Sequence, residues 1–290
     1  MIIVQLKGGF GNQLFQYAAG LSLAIHHKTT LKVDISELIG PDKLLGTQRY
    51  FDLQYLKRPP EIATAEEIHR ICHKPFYLQY LQKLLPCHQR RIYKEAAFSY
   101  DPHFFEAGND IYLKGYRQSE HYFHNIENII RDSFRIQESL LGQVSSCASE
   151  ICSVNSVSIH IRRGDYKKAE AMKIHGLLGK DYYNAAIERM YSLVNDPVFY
   201  VFSDDAEWVK HNLSFKSDCV FVSGILTKTH FEDFYLMSCC KHNIIANSSF
   251  SWWAAWLNDN KEKKVIAPVN WFNQYTAKTE DLIPAGWIRI

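Results

Sequence analysis

Between Val157 and Ala267 a short apolar run gives way to an amphipathic stretch, then to another apolar run, again and again. The runs are VSIHI, VFYVFS, CVFVS, NIIA and KVIA. The segments between them have the period and length of helices: Asp181 to Val194, DAEWVKHNL, FEDFYLMSCCKH and SSFSWWAAWLN. Strands that alternate with helices imply a parallel sheet covered on its faces by those helices. In such a doubly wound sheet, ligands bind beyond the carboxyl ends of the strands. The residues that follow each apolar run are therefore the ones to search for chemistry.

The amino-terminal half opens with the same grammar. Ile2–Leu6 reads as a strand, Lys7–Asn12 as a glycine turn, Gln13–His27 as an amphipathic helix and Leu31–Val33 as a second strand, a βαβ unit. Residues 40–110 are less regular, with Pro59-Pro60, the helical TAEEIHRI and an aromatic run from Phe76 to Tyr80, and read as helices and loops. IYLKGY (111–116) reads as a strand ending at a glycine, and HNIENIIRDSFRI as a helix after it. The small, polar stretch GQVSSCASEICSVNS (142–156) then marks a boundary, which divides the 290 residues into domains 1–150 and 151–290. Two α/β domains side by side place a cleft between them, a common position for a substrate.

Charge and cysteines narrow the classes. Lys and Arg number 33 against 31 Asp and Glu, a net charge of +2, which excludes a general nucleic-acid binder and confines any cationic site to a local cluster. No apolar stretch reaches the roughly eighteen residues of a membrane span, and MIIVQLKGG reads as a first strand and not as a signal peptide. Seven scattered cysteines without a CxxC pair fit a reducing compartment, so a cytoplasmic protein with no zinc site is expected.

Three stretches carry candidate chemistry. In SIHIRRGDYKK, His160, Arg162, Arg163 and Asp165 fall where a strand runs out, with His160 and Arg162 on one face. An arginine there can fork two hydrogen bonds onto phosphate oxygens while Asp165 orients a guanidinium; the plainer meaning is a surface Arg–Asp pair. In NIIANSSFSWW, Asn247, Ser248 and Ser249 supply cap chemistry at the start of a tryptophan-rich helix, either a seat for phosphate or an ordinary capped core helix. In KGGFGNQ, Gly9-x-Gly11 with Asp34 after the next strand has a dinucleotide spacing, but Leu14 stands where that fingerprint needs a small residue. Asp204 and Asp205 follow another strand and either cap the next helix or order the arginines; Glu232 and Asp233 suit a helix start. His69 and His73 share a helix face without a third ligand, so they read as surface histidines, and no cluster calls for a divalent metal.

Together GGFGNQLFQYAAG, LKGYRQSEHYF, IHIRRGDY, FSDDAEW, CKHNIIANSSFSWWAAWLN and VIAPVNWF resemble the alpha-1,2-fucosyltransferase family, glycosyltransferase family 11, along nearly the whole chain. The resemblance implies a GT-B-type fold of two Rossmann-like doubly wound domains facing a central cleft, an acceptor-side first domain and a second that holds GDP-fucose without metal or cofactor. It implies inverting transfer of L-fucose to the 2-hydroxyl of a terminal galactoside, on an oligosaccharide or a lipid-linked glycan of the cell surface such as O-antigen. Peripheral contact with a membrane is compatible with it. Carried over by position, Arg162 contacts the diphosphate, Arg163 and Asp165 shape its loop, and His160, Asp204, Asp233, Asn247, Ser248, Ser249 and Phe250 complete the donor site. Gly11, Asn12, Gln13 and Gln118 lie near fucose or acceptor, and Asp165 or Glu120 takes the acceptor proton. Arg117 stands where the family usually carries an aromatic, in a stretch expected to face the acceptor. Two rival readings are a non-catalytic GDP- or glycan-binding protein and an NAD-dependent oxidoreductase built on Gly9, Gly11 and Asp34.

Overall fold

A computed structural model describes residues 1–39, 48–73, 84–164, 176–272 and 279–290. The chain forms two compact units, Met1–Arg135 with Ala277–Ile283, and Ile136–Thr276 with Pro284–Ile290. Each is an α/β unit built on a parallel sheet.

The first unit carries four parallel strands in the order β2-β1-β4-β3: β1 Ile2–Gln5, β2 Leu31–Asp34, β3 Ile92–Lys94 and β4 Ile111–Lys114. Val4 pairs with Val33 on one side and Leu113 on the other, so the apolar β1 is the buried centre. Helix α1 (Phe10–His26) begins three residues earlier than the periodicity suggests, because Gly9 is its extended N-cap and Gly8 turns the chain with φ +78°. It lies so close to β1 that a Cβ on Gly20 would come within 2.3 Å of Val4 Cγ2. Helix α2 (Ala65–Cys72) is held at its start by a full capping box of Thr64 and Glu67, and α3 (Glu127–Ser133) follows a 3-10 turn at His124–Ile126. Strand β3 lies in the stretch read as helices and loops. Three residues at a sheet edge are too few to show a period.

The second unit holds six parallel strands in the order β10-β9-β8-β5-β6-β7. These are β5 Ser156–Ile161, β6 Val198–Ser203, β7 Val220–Phe221, β8 His242–Ile244, β9 Val265–Ala267 and β10 Ile288–Arg289. Helix α4 (Ser145–Ser153) occupies the stretch read as a boundary; it buries Ala148 and Ile151 and packs against α7 (His230–Cys239). The units accordingly part between Arg135 and Ile136, ahead of that stretch. Helices α5 (Lys180–Leu193), α6 (Ala206–Asn212) and α8 (Ser249–Leu257) complete the cover. Val157, Ile159, Ile161, Phe199, Val201, Ile244 and Ile266 form the core with Tyr183, Ile187 and Met190 of α5.

A polar knot sits inside this core. The Asn243 amide donates to Ser158 Oγ (2.8 Å) and to the Met237 carbonyl (2.9 Å), while its oxygen accepts from Asn258 (2.8 Å). Ser158 and Asn243 are register partners of β5 and β8, so the knot joins two strands and two helices. No helix among the described residues is long and apolar enough to cross a membrane, and all seven cysteines are free thiols.

Strand order reverses in each sheet, once in the second and twice in the first. From β5 the chain steps outward through β6 and β7, then returns to the other side of β5 with β8. From β1 it steps to β2, crosses to the far edge with β3 and comes back beside β1 with β4. Loops leaving the carboxyl ends of β5 and β8 therefore diverge and leave room for a ligand, while β1 and β4 end side by side at the centre of the first sheet.

Candidate functional site

The switch point of the second unit is where the sequence concentrates its cations. Arg162 follows the last residue of β5, and its guanidinium lies 3.4 Å from Asp204, beyond the end of the neighbouring β6. The other Asp204 oxygen accepts the Arg163 backbone N–H at 2.8 Å. Gly164 permits this: a Cβ there would sit 2.8 Å from the Asp204 carboxylate. Arg163 is held from two further directions, its guanidinium 4.0 Å above the Trp208 ring and its Nε 3.4 Å from Asp205. Asp205 also caps α6 by accepting from the Trp208 N–H. So Asp204 and Asp205 meet both expectations, capping and ordering. Arg163 is the packed member of the pair, and the Arg162 side chain is about a third exposed, at 34%.

Beside Arg162 the surface is aromatic. His160 is 6% exposed, its ring 5.7 Å from Phe250 of α8, and its Nδ1 has no hydrogen-bond partner among the described residues. Burial, and after it the Arg162 charge, pushes the His160 imidazole down to about 3, so the ring is neutral and Nδ1 stands ready for a partner. His230 and Phe234 of α7 pack on the same Phe250 ring, and burial with the Arg162 charge also lowers His230. Both histidines thus feel Arg162. Across the switch point, Asn247 is buried and donates to the Trp271 carbonyl at 3.2 Å, and Tyr182 donates to the Ile245 carbonyl at 2.6 Å. These bonds hold the turn into α8, whose N-cap is Ser248. The Ser248 hydroxyl makes no capping bond to the helix among the described residues, and Ser249 opens the first turn. A cation on one side and a helix N-terminus with hydroxyls on the other can together bind an anion.

Asp233 is tied into the second unit's own loop. Both of its oxygens accept from this unit's own hydroxyls, Ser223 at 2.7 Å and Thr227 at 2.5 Å, and burial raises its carboxyl despite those bonds. It fixes the loop between β7 and α7. Its neighbour Glu232 completes a capping box with Thr229. Asp165 lies outside the described residues.

At the ends of β1 and β4 in the first unit the groups are amides. Asn12 in the first turn of α1 accepts from Gln118, beyond the end of β4, at 2.6 Å. Gly8 makes room for it, since a Cβ there would meet the Asn12 amide at 2.7 Å. Gly11 and Gln13 are buried. Gln13 donates to the Gly8 and Tyr50 carbonyls and accepts from the Asp52 N–H, so its amide serves as a strut between the glycine turn and residues 50–52. Arg49 reaches over Gly9, and burial pushes the Asp52 carboxyl up to about 6 although Arg49 pulls it down. Glu120 is half-buried in a 3-10 turn just beyond Gln118.

Arg117 does not face outward as expected. It is 3% exposed with φ +49°, donates to the Lys114 and Tyr93 carbonyls, and stacks on Tyr93 and Phe104, so it is part of the unit's interior. Asp34 accepts from the Tyr112 hydroxyl and the Ser36 N–H and is 5% exposed, a poor ribose anchor. Sequence reasoning missed Trp208, His230 and Asp52. Trp208 was within reach: it stands three residues after the capping Asp205, where a ring meets the strand end. His230 and Asp52 become visible only once distant elements are packed.

Against known proteins, the model described as glycosyl transferase family 11 matches residues 98–290. An alpha-1,2-colitosyltransferase of Escherichia coli is 34% identical over 309 residues, covering 100% of this chain and 99% of that protein. The O-antigen biosynthesis glycosyltransferase WbnK of Escherichia coli is 32% identical over 305 residues, covering 98% of this chain and 99% of its own length. Among solved structures, the fucosyltransferase NodZ from Bradyrhizobium superposes with a TM-score of 0.52, covering 87% of this chain and 91% of that one. At 15% identity that likeness concerns the α/β fold alone.

Proposed function

This chain belongs to glycosyl transferase family 11, and from that premise we propose that it moves L-fucose from GDP-β-L-fucose to the 2-hydroxyl of a terminal galactoside, with inversion. The GT-B type of the fold, donor binding by the second unit and acceptor binding by the first are parts of this proposal, as are metal independence and a cytoplasmic site of action on O-antigen or a related surface glycan. The observation that carries it is the placement of Arg162 at the end of β5, beside β8, the strand that leads into the Ser248–Ser249 start of α8.

Inversion in one in-line displacement builds positive charge on the sugar and negative charge on the departing diphosphate. Arg162, the Ser248 and Ser249 hydroxyls and the α8 N–H groups are oriented before the reaction and meet that charge as it forms, usually the largest catalytic contribution. Asp204 and Trp208 keep the two guanidiniums apart, one braced toward the ligand edge and one packed. Neutral, buried His160 backs the Phe250 side of the site without adding charge. Asp165 or Glu120 accepts the acceptor proton.

The test is direct. Purified enzyme, GDP-fucose, chelator and a panel of galactose-terminated disaccharides should give a product whose linkage NMR assigns as alpha-1,2. A colitose donor belongs in the same panel, because the 34%-identical relative is named a colitosyltransferase. Failure of every fucose reaction alongside turnover of the colitose donor would overturn the donor assignment and leave the phosphate site standing.

A further inference from the structure

The first unit holds a second cluster that the proposed transfer reaction does not use. His88 lies in a 3-10 turn at Cys87–Gln89, ahead of β3; His103 and Glu106 flank another at Phe104–Glu106, ahead of β4. Because every strand of this sheet runs parallel, these turns sit at the amino ends of the strands, the edge opposite the glycine turn and Gln118. The Met1 amino group, at the start of β1, donates to the Asn109 carbonyl on the same edge.

The three side chains converge. His88 Nε2 is 3.6 Å from one Glu106 oxygen, and His103 Nδ1 is 2.9 Å from the other. The imidazoles stack with centroids 5.0 Å apart, and one ligand atom from each residue falls within a 4.8 Å span. Tetrahedral zinc with bonds near 2.1 Å keeps its ligands roughly 3.4 Å apart. The His88 gap to one Glu106 oxygen is already close to that value, while His103 meets the other oxygen. The widest gap closes by small rotations of His103 and Glu106, whose side chains are 57% and 60% exposed, while His88 is 8% exposed and fixed in the unit. Asp101 accepts from the His103 N–H and from the Tyr93 hydroxyl, which anchors the movable half of the cluster to β3.

We propose that His88, His103 and Glu106 form a transition-metal site, best matched to Zn²⁺, that clips the turns preceding β3 and β4 together and leaves a fourth position open. Two imidazoles and one carboxylate are a zinc-type donor set, and they exclude the oxygen-rich shells that calcium and magnesium require. His69 and His73 make a useful contrast: their rings stack at 4.0 Å, but the cluster of three or more metal-binding side chains found among the described residues does not include them. The cluster belongs to the first unit and the anion-binding edge to the second, and the metal's part is that of a staple for the fold.

Chelator-treated protein should bind one Zn²⁺ per chain in calorimetry, raise its Tm by roughly a few degrees when saturated, and give the visible absorption of tetrahedral Co²⁺ when Co²⁺ replaces zinc. Even outer-shell losses weaken metal sites about ten- to a hundredfold, so His103→Ala and Glu106→Gln should each weaken binding at least that much. Both positions are exposed, so these variants fold; circular dichroism checks His88→Gln separately. His69→Ala and His73→Ala should leave binding unchanged. Binding weaker than about 100 μM, or undiminished in the His103→Ala and Glu106→Gln variants, overturns the site.

Discussion

The central strand ends of the two sheets hold opposite chemistry. At β5/β8 the strand ends carry guanidiniums, hydroxyls and a neutral buried imidazole. At β1/β4 they carry amides bonded to each other and to the backbone, with a carboxyl pushed up by burial nearby. An edge of the first kind suits a charged diphosphate; one of the second suits a neutral, hydroxyl-rich sugar. Fold alone therefore does not say which unit does what. The side chains at these strand ends are what the proposed division between donor and acceptor rests on.

The largest expected effect breaks the comparison if it fails. Arg162→Ala should lower kcat/KM about 100- to 1000-fold with GDP-fucose, measured by GDP release, because it removes a donor aimed at the leaving group. Arg163→Ala should act chiefly on stability, since that guanidinium is packed on Trp208. Equal catalytic losses at both positions, with folding intact, would deny the division of labour between them.

Acid stability separates the two edges next. His160 has a folded-state value of about 3 against an ordinary 6.5, so the unfolded chain takes up its proton first and stability falls as pH drops below about 6.5. By pH 5.5 the loss is about 1.4 kcal/mol at most, and His160→Phe should remove that slope in urea melts. Asp52 runs the other way. Its carboxyl is raised from 3.8 to about 6, so its contribution is complete below about 4 and is lost as pH rises through 6. Asp52→Asn should remove that opposing slope between about pH 4 and 6, inside the range where His160 acts.

A smaller effect sharpens the first edge. Asn12→Ala or Gln118→Ala removes one neutral hydrogen bond, which should raise the acceptor KM about five- to tenfold and leave the donor KM unchanged. A matching rise in the donor KM would place the nucleotide against the amides instead. The smallest expected effect is none: chelator should leave the rate of transfer unaltered in initial-velocity assays.

Much of this was legible in the linear sequence, for reasons that differ by residue. The β5 run, the paired arginines and the serines before α8 are consecutive, and their order along a strand or helix fixes their neighbours. The α/β pattern of the second unit followed from the same local periodicity. Gln13 and Asp233 were seen as polar groups beside a site, but their partners, Tyr50, Ser223 and Thr227, come from other turns. Only packing shows that those side chains hold loops in place. The stretch 142–156 reads as a domain boundary because α4 is short and polar, yet Ala148 and Ile151 are enough to seat it. β3 and β10 are half-exposed strands at sheet edges, so no continuous apolar run marks them, unlike the equally short β8 and β9, which are buried throughout.

The amide of Asn243 works as a ratchet pawl between the two strands that matter most. If β8 slid one residue along β5, three partners would be lost inside an apolar interior, each orphaned group costing about 1–3 kcal/mol. The spacing between Arg162 and the first turn of α8 is thereby set from beneath, several residues away from either. In the proposed reaction, the distance across which a pyrophosphate must fit is thus set by a knot buried in the core and not by the loops that face the ligand.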